Sequence, residues 1–176
     1  MDDSTWTIVT AVCTIVLALA ALASVWLLHN QIRQEAQLSR RAIGLEAMWR
    51  LDQEWDSANM RKVRANAARA LLTKKPTVDI NMVLNFFESI ARFVKTGIID
   101  EESAWHTYYY NFSNYWSASR IYIDEVREED PTMWEDLDDY LMPELMKIEA
   151  RRRNRSPVPP TETETADLLN DEKDLT

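Results

Sequence analysis

Glycine, cysteine and histidine are all scarce in this 176-residue chain, and each shortage removes a class of structure. Gly44 and Gly97 are the only glycines, and no Asn-Gly or Asp-Gly pair separates alternating strands, so helix is the expected state nearly everywhere. Cys13 stands alone, which excludes an intrachain disulfide framework and a metal site built on thiolates. His29 and His106 are the only histidines, and the Glu-x-x-His pairs of di-metal helical bundles are missing. Lysine and arginine do not occur before Arg33.

That last gap frames the longest uncharged run, Trp6 to Leu28, 23 positions rich in Leu, Ile, Val and Ala. As a helix it would be about 34 Å long, enough to cross a hydrocarbon core of roughly 30 Å. Trp6 and Trp26 stand near its two ends, where indoles anchor at headgroup depth. Ala18-Leu19-Ala20 resembles a signal-peptide cleavage site, but the basic n-region is absent and the run exceeds the usual h-region of about 7–15 residues. Arg33, Arg40 and Arg41 follow the run, so the positive-inside rule places the amino terminus outside and the rest in the cytoplasm. The expected organisation is a short extracytoplasmic segment 1–5, a single-pass transmembrane helix 6–28, a juxtamembrane helix 29–57, a helical bundle 58–153 and a disordered tail 154–176, in a bacterial inner membrane.

Charge is unevenly spread. The net charge is −9, yet residues 98–150 hold fourteen acids against Arg120, Arg127 and Lys147, while residues 29–72 carry eight basic residues and five acids. The acidic half would repel phosphates, which argues against nucleic acid as a partner, and the basic half is the one nearest an anionic leaflet.

Helical periodicity and caps divide the remainder. Apolar positions from Ile32 to Trp55 keep helical spacing and extend the membrane helix to about Trp55, with Gly44 as a weak point. Asp56 or Ser57 caps a helix from Ala58 to about Leu72; Asp79 caps one from Ile80 to Thr96, with Gly97 at its C′ position. Asp100 caps a long aromatic helix from Ser103 to about Arg127, and Thr132 caps a last one from Met133 through Met146, kinked or interrupted at Pro143. From Asn154 onward the chain is rich in Pro, Thr and Glu and reads as disordered. The fold class is therefore all-α: one transmembrane helix, then an antiparallel bundle of four to five helices.

The segments Trp55-Asp56-Ser57 with Met60-Arg61 and Arg64, Val83-Leu84-Asn85-Phe86-Phe87-Glu88, Val94 through Glu102, and Tyr115-Trp116 resemble an uncharacterised bacterial domain-of-unknown-function family, commonly preceded by one membrane helix. The resemblance covers roughly residues 30 to 145 and implies a helical fold and a single anchor. It implies no activity, and no catalytic residue is carried over.

Each candidate site has a plainer structural reading. Glu102 and His106 lie one helical turn apart, but as a metal site they lack further ligands, so an ordinary surface histidine is expected. Glu88 interrupts an apolar face, and Arg64 on the neighbouring helix is its expected ion-pair partner, setting helix register. The aromatics from Trp105 to Trp116 favour core packing over a ligand pocket. Since Tyr108, Tyr109 and Tyr110 are consecutive, at least one ring points outward. Tyr108, Tyr110, Asp136, Asp138 and Asp139 are the candidate interface. Arg151 to Arg153 and Arg155 complement a helix end or touch anionic lipid. No catalytic constellation and no cofactor motif emerges. The expected function is a non-enzymatic, membrane-anchored interaction module (scaffold, adaptor or sensor subunit) whose partners are the bilayer and another protein or itself. The alternatives are an oligomerising, toxin-like membrane effector, its helix contacts supported by Ala11, Ala18, Ala21 and Ser24, and lastly an enzyme with a pocket among the aromatics.

Overall fold

Helix follows helix through the computed structural model, which describes the backbone of residues 3–154, 156 and 158–175; side chains before residue 22 and those of residues 23 and 37 fall outside the described set. The elements are α1 (Asp3–Trp55), α2 (Ala58–Thr73), α3 (Val78–Lys95), α4 (Glu101–Glu129), a π-helical turn (Leu137–Leu141), α5 (Met142–Arg153) and α6 (Glu162–Glu172). Among the described residues there is no strand. The chain divides into two compact units, Met1–Ala42 and Ile43–Thr176.

In the first unit the described side chains Leu22, Val25, Trp26, Leu27 and Leu28 are all more than half exposed. Among the described residues no helix is long and apolar enough to cross a membrane. Most of the expected span 6–28, Trp6 included, lies outside the described side chains.

The second unit holds the core. Helix α3 buries Ile80, Val83, Leu84, Phe86, Phe87, Ile90, Ala91 and Val94, a face broad enough to be covered from two sides. It packs on α2, α4 and the π turn, while α6 packs on α2 and α4, so α3 and α6 both bridge α2 and α4. Trp55 is the aromatic hub, with ring centroids 4.9 Å from Phe86 and 5.3 Å from Phe87. In α4 the buried line is Tyr108, Phe112, Tyr115, Trp116 and Ile123, whereas Trp105 and Tyr109 are only half-buried.

Local caps explain most boundaries. The Ser57 side chain accepts from the Met60 amide, and Asp100 accepts from the Ser103 amide, each satisfying an orphan N–H of the following first turn. Gly97 turns the chain at φ 70°, the left-handed conformation expected of it. Asp79, in contrast, is not a cap: α3 begins two residues earlier, at Val78 behind Thr77, and Asp79 lies in its first turn, where a negative charge suits the dipole. Thr132 does not cap the last helix either, because its amide and hydroxyl both donate to Asp130 and residues 131–134 form turns. Arg127 holds this corner by donating to the carbonyls of Met133 and Trp134. Pro143 interrupts the regular helix through the π turn, in which the Met142 amide reaches the Leu137 carbonyl. The wider turn draws the carbonyl four residues earlier away from the proline ring.

Two further expectations are corrected. The segment expected to be disordered contains α6, started by a capping box in which Thr161 and Glu164 satisfy each other's backbone groups. Gly44 is not a weak point of α1: a Cβ there would stand 2.4 Å from the carbonyl oxygen of Ile98, so the glycine lets the α3–α4 loop approach. In an exposed helix interior Gly→Ala stabilises by about 1 kcal/mol. Here Gly44→Ala is expected to destabilise by about 1–3 kcal/mol as overpacking against backbone, measured by thermal or denaturant unfolding.

Candidate functional site

Arg64 projects from α2 into the space between α2, α4 and α6, where it is 6 % exposed. Its Nε donates to Glu172 Oε2 at 2.6 Å and its Nη2 to Oε1 at 2.5 Å, a two-pronged pair that only the planar guanidinium can make. Nη1 donates to the Trp55 carbonyl at 3.0 Å, satisfying the last carbonyl of α1. The guanidinium carbon stands 4.0 Å from the Trp55 ring centroid, a desolvated cation–π contact. The Tyr115 hydroxyl is 3.2 Å from Glu172 Oε2 and 3.3 Å from the Arg64 carbonyl, so its single proton serves two acceptors. Burial, then the negative charge of Glu172, pushes the Tyr115 phenol well above its ordinary value and keeps it a donor.

Helix α6 enters this site along one face. Thr165, Leu168, Leu169 and Glu172 are its buried residues, spaced i, i+3, i+4, i+7. The Thr165 hydroxyl donates to Asn114 Oδ1 at 3.1 Å, and Arg69 donates to the Lys173 carbonyl at 2.6 Å beyond the end of the helix. The two leucines join the main hydrophobic core.

The structure separates residues that the sequence reading joined. Arg64 pairs with Glu172, not with Glu88, because α6 brings a carboxylate to it while Glu88 lies beside Arg92 and the Asp136 and Leu137 amides. Glu88 has Arg92 at 4.0 Å, and its Oε2 is buried without a hydrogen bond. Burial, followed by repulsion from Asp136, raises the Glu88 carboxyl above its ordinary value, while Arg92 and the amides of Asp136 and Leu137 act against the shift. Tyr108, expected at an interface, is buried and donates to Asp52 at 2.6 Å; burial and that carboxylate push its phenol strongly upward. Asp136 accepts from Lys95 at 2.5 Å, and Asp138 pairs with Arg127 at 2.8 Å and Arg120 at 3.3 Å. Those two acids therefore tie α3 and α4 to the last turn and do not form a free face. Asp139 and Tyr110 are exposed, as an interface requires.

Glu102 is engaged by Arg151 and Arg152, and His106 is exposed with its ring against Trp105. Among the described residues no cluster of His, Cys, Asp and Glu could hold a metal ion. Trp26, Arg33, Arg40 and Arg41 are exposed on α1. Beside α4 a cleft of about 170 Å³ is lined by Tyr109, Tyr110, Glu149, Val158 and Pro159. Glu172, which sequence reasoning missed, had a readable signal: Thr161 and Glu164 at capping-box spacing, followed by a helical face that ends on it.

Breaking a buried pair by removing one partner typically costs about 3–5 kcal/mol, whereas replacing both by apolar groups is often neutral. Arg64→Met and Glu172→Leu should each lower the unfolding free energy by about 3 kcal/mol, and the double substitution should recover most of it, in denaturant melts. Glu88 has the opposite sign. Its raised folded-state pKa means that stability falls as pH rises from the ordinary glutamate value through the folded value. Glu88→Gln should therefore raise the melting temperature at about pH 7 and change it far less at about pH 4.

A family model described as Domain of unknown function (DUF4760) matches residues 9–141, and the chain belongs to that family. No curated protein and no solved structure matches it.

Proposed function

We propose that this member of a family whose description carries no activity is a membrane-anchored helical interaction module, a scaffold, adaptor or sensor subunit with no catalytic role. The observation that carries the reading is the space between α2 and α4, which takes up a helix through a hydroxyl, two leucines and a carboxylate that each meet a matching group. A surface that reads a helix side chain by side chain is recognition machinery of the helix-in-groove kind.

Anchoring is supported by the uncharged run 6–28 and by the apolar, uncovered side chains of Leu22 and Val25 to Leu28 at its described end. Such an exposed apolar stretch is costly in water and is covered readily by lipid. Arg33, Arg40 and Arg41 follow on exposed positions and favour a cytoplasmic bundle in the plasma membrane, with the amino terminus outside. Tyr110 and Asp139 are exposed and available to a protein partner or a second copy. Nucleic acid is disfavoured by the net charge of −9.

The test is photo-crosslinking in native membranes. A reactive residue in place of Tyr110 should give discrete protein crosslinks that the same residue in place of Asp124 does not, and overexpression should leave the membrane potential intact. Identical products at both positions would refute the interaction reading. Depolarisation would move the assignment to a bilayer-perturbing effector.

A further inference from the structure

The cation and the anion of the buried pair come from different parts of the chain. Arg64, Trp55 and Tyr115 lie within the family-matched residues 9–141, whereas Glu172 and all of α6 lie beyond them. The matched segment thus supplies the guanidinium, the Trp55 ring over it and the Tyr115 hydroxyl, and takes its carboxylate from a separate helix, which also completes its burial. Any helix that closes the groove over this guanidinium must bring an anion, since an unpaired buried charge costs several kcal/mol. Its donors are arranged for a planar carboxylate: Nε and Nη2 point to one side, Nη1 is spent on the Trp55 carbonyl and Trp55 covers a face.

We propose that the α2–α4 groove is a receptor for a short acidic amphipathic helix on another protein, one presenting a hydroxyl, two leucines and a carboxylate at i, i+3, i+4 and i+7, and that α6 is the resident occupant such a helix displaces. The inference deepens the interaction reading and rests on it. Charge complementarity selects the partner: Arg64 donates to the terminal carboxylate, Asn114 accepts from the hydroxyl, and the core around Leu168 and Leu169 takes the apolar pair. Helix α6 has only 11 residues and four buried side chains. Isolated helices of that length are marginal, so α6 is ordered by the groove and its departure need not unfold α2 to α4. Its short tether gives it an effective concentration in the millimolar range, which a competitor overcomes by tighter binding or by confinement to the same membrane.

The experiment uses the full chain with Leu168→Asp, Leu169→Asp and Glu172→Lys, which releases α6, and a fluorescent peptide copying residues 158–175. The peptide should bind the released chain saturably and the unmodified chain at least about tenfold more weakly. Adding Arg64→Leu, or placing Glu172→Gln in the peptide, should weaken binding at least about thirtyfold. Absence of binding to a released chain that still melts cooperatively would overturn the proposal. Should that variant lose its fold, hydrogen exchange on the unmodified chain decides: α6 amides must exchange through a local opening, and exchange only with global unfolding overturns it. Tail exchange between unmodified copies, seen as a dimer crosslinked from α6 to α2, would make the occupant a second copy and overturn the assignment to another protein. Peptide capture without crosslinks from Tyr110 would remove the partner seen there and leave the groove standing; the reverse result would remove only the groove.

Discussion

A guanidinium enclosed by four helices is the constraint on which the second unit depends. Arg64 closes the end of α1 through the Trp55 carbonyl, fixes α6 through Glu172, and is held in turn by the ring of Trp55 and, through Glu172, by the Tyr115 hydroxyl of α4. Apolar residues of similar volume would hold the helices together as well or better, because desolvating two charges offsets most of their attraction. What an ion pair adds is intolerance of error. A helix slipped by one residue turns its face by about 100° and takes Glu172 away from Arg64, so the pair sets which register of α6 is allowed. Trp55 links this polar point to the apolar core, since the ring that faces Arg64 also packs on Phe86 and Phe87.

Part of the acidic surplus of residues 98–150 is taken up in ion pairs. Lys95 takes Asp136, Arg120 and Arg127 share Asp138, Arg151 and Arg152 share Glu102, and Arg153 reaches Glu149. Exposed pairs of this kind contribute little each, but they bring the last turns onto α3 and α4 at defined points. They leave Asp139 exposed while Asp136 and Asp138 are engaged.

Much of the fold was legible because its signals are local. Ser57 and Asp100 cap helices through side-chain oxygens close in sequence, and Gly97 supplies a left-handed turn that other residues resist. The apolar face of α3 could be read from its periodicity alone. The misreadings have other causes. The approach of Ile98 to Gly44 depends on where distant backbone lies, and the start of α3 at Thr77 is made without any side-chain cap that residue type could announce. The tail is the instructive case. Its proline-rich entry and acidic composition read as disorder, while a capping box at Thr161 and Glu164 and a face of four residues carry the helical signal of α6.

By itself the sequence determined the helical class, the approximate bounds of α2, α3 and α4, the uncharged run near the amino terminus, and the exclusion of disulfide and thiolate chemistry. These follow from residue type and short-range spacing, which act over one or two turns. Only the tertiary structure decided which carboxylate meets Arg64, that Asp136 and Asp138 are internal, that Tyr108 is buried, and that α6 closes the groove. The partners of Arg64 lie as far as 108 positions along the chain, and no periodicity carries information over such a separation. Burial and charge pairing are properties of the assembled helices, and the energy that orders α6 exists only once α2 and α4 have come together.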